Sequence, residues 1–142
     1  MIHRLDDRMA VAPQIWPSEL LNLGEQGFAL VVNNRPDDEE PGQPASVEVE
    51  SAARVVGLGY RAIPVGHSGF SHTQVDAMVE ALTAARGPVL AYCRSGTRSC
   101  FLWALARAKM GDDPVMLTEK AAAAGYDIRP IRGMLDALSA GA

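Results

Sequence analysis

The chain has 142 residues and a formal net charge of −4, with 13 Lys and Arg against 17 Asp and Glu. This length predicts one domain over residues 1–142, and mild acidity without a basic block argues against nucleic-acid binding. No apolar run approaches the roughly 18 residues of a membrane span, and the charged first residues are unlike a secretory signal. With two cysteines, too few for a disulfide framework, we expect a cytoplasmic protein.

Strand and helix patterns alternate in the first half of the chain. The first predicted strand is 9–12, and Pro17 opens the helix that follows it. Residues 28–33 form a continuous apolar run, which is typical of a central parallel strand. The polar segment 34–44 comes next, and it is too long to be a simple connector in a compact domain.

The second half continues this alternation. Ser46 and Ser71 are predicted to cap the next two helices. The remaining predicted elements are a helix to residue 56, a strand at 60–63, a loop at 66–70, a helix over 73–85, a strand at 87–92 and helices near 101–106, 114–124 and 130–139. The pattern predicts an α/β fold with a small, mostly parallel sheet and helices on both faces. Ligands in such folds bind outside the carboxyl ends of the strands, so the polar loops should meet there.

The turn after the strand at 87–92 carries the most specific chemistry, in the heptapeptide Cys93-Arg94-Ser95-Gly96-Thr97-Arg98-Ser99. Cys93 lies where the first amide N–H groups of a helix point into a loop and the helix dipole favours negative charge. Two arginines and a glycine within five residues of Cys93 fit a thiolate nucleophile in an anion pocket better than a structural thiol. Cys100, inside the helical pattern, is expected to be a core thiol.

The same heptapeptide supplies the predicted roles. Cys93 attacks phosphorus or sulfur, and Arg98 offers a bidentate fork to the oxygens of the anion. Ser99 hydrogen-bonds the thiolate and helps discharge the intermediate, and capping of the following helix is an equally good explanation for the hydroxyl residues. The loop backbone forms the anion cradle, and the substrate-binding residues predicted within it are Arg94, Ser95, Gly96 and Thr97.

Further segments make the chain resemble a bacterial family of phosphatase-like proteins, which also forms the front of two-domain β-lactamase-hydrolase-like proteins. They are Gln14-Ile15, Gly27-Phe28, Asn33-Asn34-Arg35-Pro36-Asp37-Asp38-Glu39, Gln43-Pro44, Ile63-Pro64-Val65, Gly87-Pro88-Val89-Leu90 and the heptapeptide. The resemblance implies a cysteine-phosphatase-like fold. It also implies the activity of tyrosine and dual-specificity phosphatases, which hydrolyse phosphomonoesters through a phosphocysteine. It also implies an anionic substrate and a partner or fused β-lactamase-fold domain that handles sulfur.

A phosphatase of this type needs a general acid for the leaving group. Phosphatases place an aspartate in the loop that corresponds to the segment after Ile63-Pro64, and this sequence has no carboxylate there. Asp37 is the predicted acid, and the alternatives are Asp38 and Glu39 of the same run and the histidines His67 and His72. A solvated acidic turn also explains the acidic run. His67 and Arg35 are predicted to bind substrate, and Arg35 is alternatively a partner for a loop carboxylate.

The length of the cysteine loop leaves a second function open. Four residues separate Cys93 from Arg98, one fewer than in the tyrosine and dual-specificity phosphatases, and this spacing resembles that of rhodanese-type sulfurtransferases. Tyr92 stands where phosphatases usually have a histidine. The alternatives are therefore a sulfurtransferase that carries persulfide on Cys93 and an inactive anion-binding module. The histidines are isolated and no CxxC or HxxxH occurs, so we expect no metal or other cofactor.

Overall fold

A five-stranded sheet organises this protein, seen here in a computed structural model that describes residues 1–142. Its strands in chain order are β1 (His3–Asp6), β2 (Met9–Ala12), β3 (Leu30–Asn33), β4 (Gly59–Ala62) and β5 (Val89–Tyr92). They lie in the order β1-β2-β5-β3-β4. Only β1 and β2 pair antiparallel, and the other neighbours pair in parallel. The predicted α/β fold with a mostly parallel sheet is confirmed.

Six α-helices cover the two faces of the sheet. They are α1 (Leu20–Glu25), α2 (Ser46–Val55), α3 (His72–Ala84), α4 (Thr97–Lys109), α5 (Pro114–Ala123) and α6 (Arg132–Ala140), with short 3-10 turns at Pro17–Glu19 and Arg129–Ile131. One core cluster joins α1 and α2 to one set of alternate strand residues. The larger cluster joins α3 to α6 to the other set, because successive side chains of a strand point to opposite faces. None of the helices has both the length and the apolar character that a membrane span requires.

The central strands are buried on both faces, which is why they read as continuous apolar runs. Every residue of β2, β3 and β5 is buried, whereas the edge strand β4 is largely exposed. The edge strand β1 was not predicted, because its short sequence His-Arg-Leu-Asp contains only one strongly apolar residue. It forms a hairpin with β2 around Asp7 and Arg8.

The starts of α3 and α2 test the two predicted N-cap residues. Ser71 caps α3 as predicted: its Oγ accepts a hydrogen bond from the Gln74 N–H at 3.2 Å, and Gln74 Oε1 accepts one from the Ser71 N–H at 2.8 Å. Ser46 is instead the first residue of α2. Its N–H donates to Asp37 Oδ1 at 2.8 Å, so the cap of this helix comes from the preceding loop.

The strand registers bring the carboxyl ends of the parallel strands into one row. Tyr92, the last residue of β5, is paired with Ala12 on one side and with Asn33 on the other. Asn33 in turn is paired with Ala62 at the end of β4. The segments that leave these strands therefore start side by side, as the parallel pattern predicts.

Candidate active site

The cysteine loop is a tight turn between a buried strand and a helix. β5 ends at Tyr92 and α4 begins at Thr97, which leaves four residues for the turn. Cys93 is fully buried, and its N–H donates to Ala12 O in β2 at 3.3 Å. Its Sγ accepts a hydrogen bond from the Gly96 N–H at 3.1 Å. A backbone donor of the same turn is therefore aimed at the sulfur.

Gly96 allows this turn to close. It has φ of 92°, in the left-handed region that L side chains rarely adopt. A Cβ atom built on Gly96 would overlap the hydroxyl group of Tyr126 and lie 3.5 Å from the Ala12 carbonyl carbon. Both the backbone conformation and the lack of space therefore require glycine at this position.

Arg98, in the first turn of α4, joins the cysteine loop to the two neighbouring loops. Its Nη1 and Nη2 donate to the two carboxylate oxygens of Glu39 at 2.7 and 2.8 Å. Nη1 also donates to the carbonyl oxygen of Val65 at 2.7 Å. The pKa of Arg98 is raised, chiefly by its hydrogen bonds to Glu39 and further by the charge of nearby Cys93. The predicted convergence of the three polar loops is thus present in the structure.

Arg35 orders the acidic loop from beneath. Its side chain is 1% exposed, and Nε donates to Glu39 Oε1 at 2.8 Å. Nη1 donates to Gln14 Oε1 and Nη2 to Glu40 Oε1, both at 3.0 Å. All three guanidinium nitrogens therefore have protein acceptors. These contacts agree with the alternative interpretation, in which Arg35 pairs with a carboxylate of the loop. Substrate binding by Arg35 stays a prediction.

Glu39 is the carboxylate at the centre of this network. Hydrogen bonds from Arg98, and after them from Arg35, hold its pKa at about 2, against an ordinary value of 4.5. Glu39 is consequently ionised at neutral pH and is a poor proton donor. Sequence reasoning named it only as one of several acids in the run, because nothing in that run marks which residue turns inward.

Asp37, the predicted general acid, is exposed, and its Oδ1 accepts the hydrogen bond from Ser46 that caps α2. His67 and Arg94 lie at the rim. The His67 side chain is 87% exposed with Nε2 3.7 Å from Glu39 Oε2, and Arg94 Nη2 is 3.7 Å from Glu40 Oε2. These positions border the acidic loop, and the catalytic or binding roles of the three residues stay predictions.

The hydroxyl residues of the loop fall into two environments. Ser95 Oγ and Thr97 Oγ1 are exposed and lie 3.0 Å apart, and Ser95 Oγ also accepts a 3.4 Å hydrogen bond from the Thr97 N–H. Ser99 is fully buried, and its Oγ has no hydrogen-bond partner in the protein. The N-cap residue of α4 is Gly96 and no side chain makes the capping hydrogen bond, so Ser95 gives the first turn only this long contact. The contact of the Ser99 hydroxyl with the thiolate or an intermediate stays a prediction. No group of three or more His, Cys, Asp or Glu side chains is placed to hold a metal ion.

The low pKa of Glu39 predicts a contribution to acid stability. A folded-state pKa below the unfolded value stabilises the fold above the unfolded pKa, and this stabilisation is lost as pH falls from about 4.5 to about 2. We expect Glu39→Gln to lower the free energy of unfolding at pH 7 by roughly 2 kcal/mol and to flatten its fall in that acid range. Urea unfolding at several pH values measures both effects.

Glu119→Gln is the matched control for this variant, because Glu119 is exposed on α5 and makes no ion pair. It should leave both the neutral stability and the acid slope unchanged. An acid slope in Glu39→Gln equal to that of the unchanged protein would contradict the role given to Glu39.

A parallel sheet that delivers a cysteine from its central strand, with an arginine in the first turn of the next helix, defines a fold of the protein-tyrosine-phosphatase type. Tk-PTP in its active form shares this fold, with a TM-score of 0.73 at 20% identity over 98% of this chain and 96% of that one. Residues 2–110 match the phosphatase-like domain of β-lactamase hydrolase-like proteins. The chain belongs to this family, as its sequence motifs indicate.

Two relatives bear this assignment out. The β-lactamase hydrolase-like protein of Agrobacterium fabrum is 37% identical over 108 residues, which are 76% of this chain and 25% of that protein. A candidate phosphatase of Neisseria meningitidis Z2491 has a TM-score of 0.82 at 30% identity and covers 96% of this chain and 97% of its own. The chain thus spans about a quarter of the length of the curated relatives it matches, and it is a phosphatase-like domain.

Proposed function

We propose that this domain hydrolyses phosphomonoesters with the thiolate of Cys93 as nucleophile. The observation that carries the proposal is the placement of Cys93 at the end of the central strand, with the Gly96 N–H on its sulfur and Arg98 beside it. The sulfur attacks phosphorus as the bond to the leaving oxygen breaks, and that oxygen takes up a proton. Water then hydrolyses the phosphocysteine, which releases phosphate and restores the thiolate.

Arg98 is prepared to bind the transferred group. Its Nη1 donors and one Nη2 donor are taken by Glu39 and Val65. The Nε–H and the second Nη2–H are not used by Glu39 or Val65, and together they form a second bidentate edge of the guanidinium. Two oxygens of a phosphoryl group fit this edge while Glu39 holds the guanidinium in place. Glu39 therefore acts as a positioning residue for Arg98.

The proton for the leaving group has to come from outside the Arg98 pair. Glu39 is ionised over the working pH range because of its low pKa. Asp37, on the same loop, is our proposal for the general acid, and Ser99 is proposed to assist discharge of the phosphocysteine. We also propose a cytoplasmic location, since a reactive thiol persists where glutathione keeps it reduced.

Sulfur transfer is the second candidate, and the four-residue spacing between Cys93 and Arg98 favours it. In this reaction the outer sulfur of thiosulfate passes to the thiolate as sulfite leaves, and the Cys93 persulfide then gives its sulfur to cyanide as thiocyanate. The curated relatives are about four times as long as the matched segment. A β-lactamase-fold domain that handles sulfur, as a partner or fused to this domain, would supply or receive such a sulfur.

A paired assay on the purified chain distinguishes these functions. We expect slow, steady hydrolysis of a generic aryl phosphate, because the short loop leaves a phosphoryl group less room than a single sulfur atom. Thiosulfate plus cyanide should yield no thiocyanate, and mass spectrometry after thiosulfate treatment should show no added sulfur on Cys93.

The opposite pair of results would overturn the phosphatase proposal in favour of sulfur transfer. Binding of inorganic phosphate without turnover of either substrate would instead identify an inactive anion-binding module. The assay is repeated with Cys100→Ser to show that any added sulfur lies on Cys93, since Cys100 is the second cysteine of the chain.

A further inference from the structure

Tyr126 reaches the cysteine loop from the segment between α5 and the last 3-10 turn. Its hydroxyl group donates to the carbonyl oxygen of Ser95 at 3.1 Å. Its ring packs edge to face against His3, with 5.5 Å between the ring centroids. Tyr126 lies beyond residues 2–110, the part of the chain that matches the family. The function described above assigns it no role.

The carbonyl oxygen of Ser95 and the N–H of Gly96 belong to the same peptide group. The peptide is trans, so these two atoms point in opposite directions. The oxygen meets the hydroxyl group of Tyr126, and the N–H meets the sulfur of Cys93 at 3.1 Å. A donor on the carbonyl polarises the peptide group and strengthens its N–H as a donor. Tyr126 and Cys93 thus hold one peptide from its two ends.

We propose that Tyr126 is a positioning residue that keeps the Ser95–Gly96 peptide turned with its N–H on the Cys93 sulfur. The inference rests on the proposed role of Cys93 as nucleophile. A glycine leaves the peptide before it free to rotate, and a rotated peptide would direct its carbonyl oxygen towards the thiolate. Gly96 lies so close to the Tyr126 hydroxyl group that no side chain would fit between them. The hydroxyl group therefore stays beside the peptide that it contacts.

The titratable groups around Cys93 show whether Tyr126→Phe alters the local charge. The titratable groups that interact with Cys93 are Arg98 and Cys100 from α4 and Tyr126 from the segment after α5, and Glu39 lies behind Arg98. Burial raises the pKa of Tyr126, so the hydroxyl group stays protonated at neutral pH and remains a donor. Tyr126→Phe therefore removes a hydrogen bond and no charge.

The test is alkylation of the full-length chain with iodoacetamide, followed at Cys93 by mass spectrometry over a range of pH. The pH midpoint of the rate reports ionisation of the thiol, and the plateau at high pH reports access to it. In Tyr126→Phe we expect the midpoint to rise by about half a pH unit or more. A loop that had only loosened would raise the plateau and leave the midpoint in place.

Thr118→Val is the matched control, because it also deletes one hydroxyl group, from the helix α5 that precedes Tyr126. Thr118 Oγ1 donates to Pro114 O at 2.8 Å, and that bond lies within α5. The control should leave the midpoint unchanged. An unchanged midpoint in Tyr126→Phe, or an equal shift in Thr118→Val, would overturn the proposal. The ultraviolet absorbance of the thiolate in a Cys100→Ser background measures the same midpoint if alkylation is too slow.

These readouts separate the inference from the proposed function, because neither needs a substrate. A raised midpoint in Tyr126→Phe together with no turnover of aryl phosphate would support the positioning role and reject the phosphatase. Turnover with an unshifted midpoint would reject the positioning role alone. Where turnover is present, the acid limb of kcat/KM should move with the alkylation midpoint.

Discussion

Replacing Cys93 by serine is expected to abolish turnover of aryl phosphate, with a loss of at least about 10³-fold in kcat, because a hydroxyl group is a far weaker nucleophile than a thiolate at neutral pH. The change is nearly isosteric at a buried position, so the fold should persist. Release of phosphate or phenol is the measurement, and circular dichroism confirms folding. Retention of more than a small fraction of the activity would contradict a nucleophilic Cys93.

Cys100→Ser is the control for this variant. Cys100 is fully buried in α4, and burial raises the pKa of its thiol to about 12, so it stays protonated and unreactive at neutral pH. We expect its replacement to leave kcat nearly unchanged. A loss comparable to that of Cys93→Ser would show that the chemistry is shared between the two cysteines.

Arg98→Lys is expected to lower kcat/KM by about 10²–10³-fold, although the positive charge is kept. A lysine ammonium is a point charge, and it lacks the planar set of donors with which Arg98 binds both oxygens of Glu39 and the carbonyl of Val65. The free edge that we assign to the phosphoryl group disappears with it. Steady-state kinetics with aryl phosphate measure the loss in kcat/KM. Competitive inhibition by inorganic phosphate measures the loss in anion binding.

Arg54→Lys provides the matched control for Arg98→Lys. Arg54 is exposed on α2 and pairs only with Glu50, one turn earlier on the same helix. Its replacement should leave kcat/KM and phosphate inhibition unchanged. Equal kinetics for Arg98→Lys and the unchanged protein would remove the guanidinium from the anion site.

The class of fold and the position of the site could both be predicted from the order of residues along the chain. Continuous apolar runs mark strands that are covered on both faces, and the structure has β2, β3 and β5 in that position. Parallel strands end at one edge, so the cysteine loop and the acidic loop were expected to meet, and Arg98 joins them. Local order along the chain was sufficient for these predictions, because the periodicity and helix-terminus signals are local.

The side chains that complete the site depend on contacts between distant segments of the chain. Within the acidic run, Asp38 has φ of 62°, a left-handed conformation that no local signal specifies, and Glu39 rather than Asp37 reaches Arg98. Tyr126 lies 31 residues from the peptide that it contacts. Contacts of this kind depend on the path of a long loop and on how α5 packs against β1 and α4. The local pattern of residues does not predict such contacts, because they form only when segments that are distant in the sequence pack into one core.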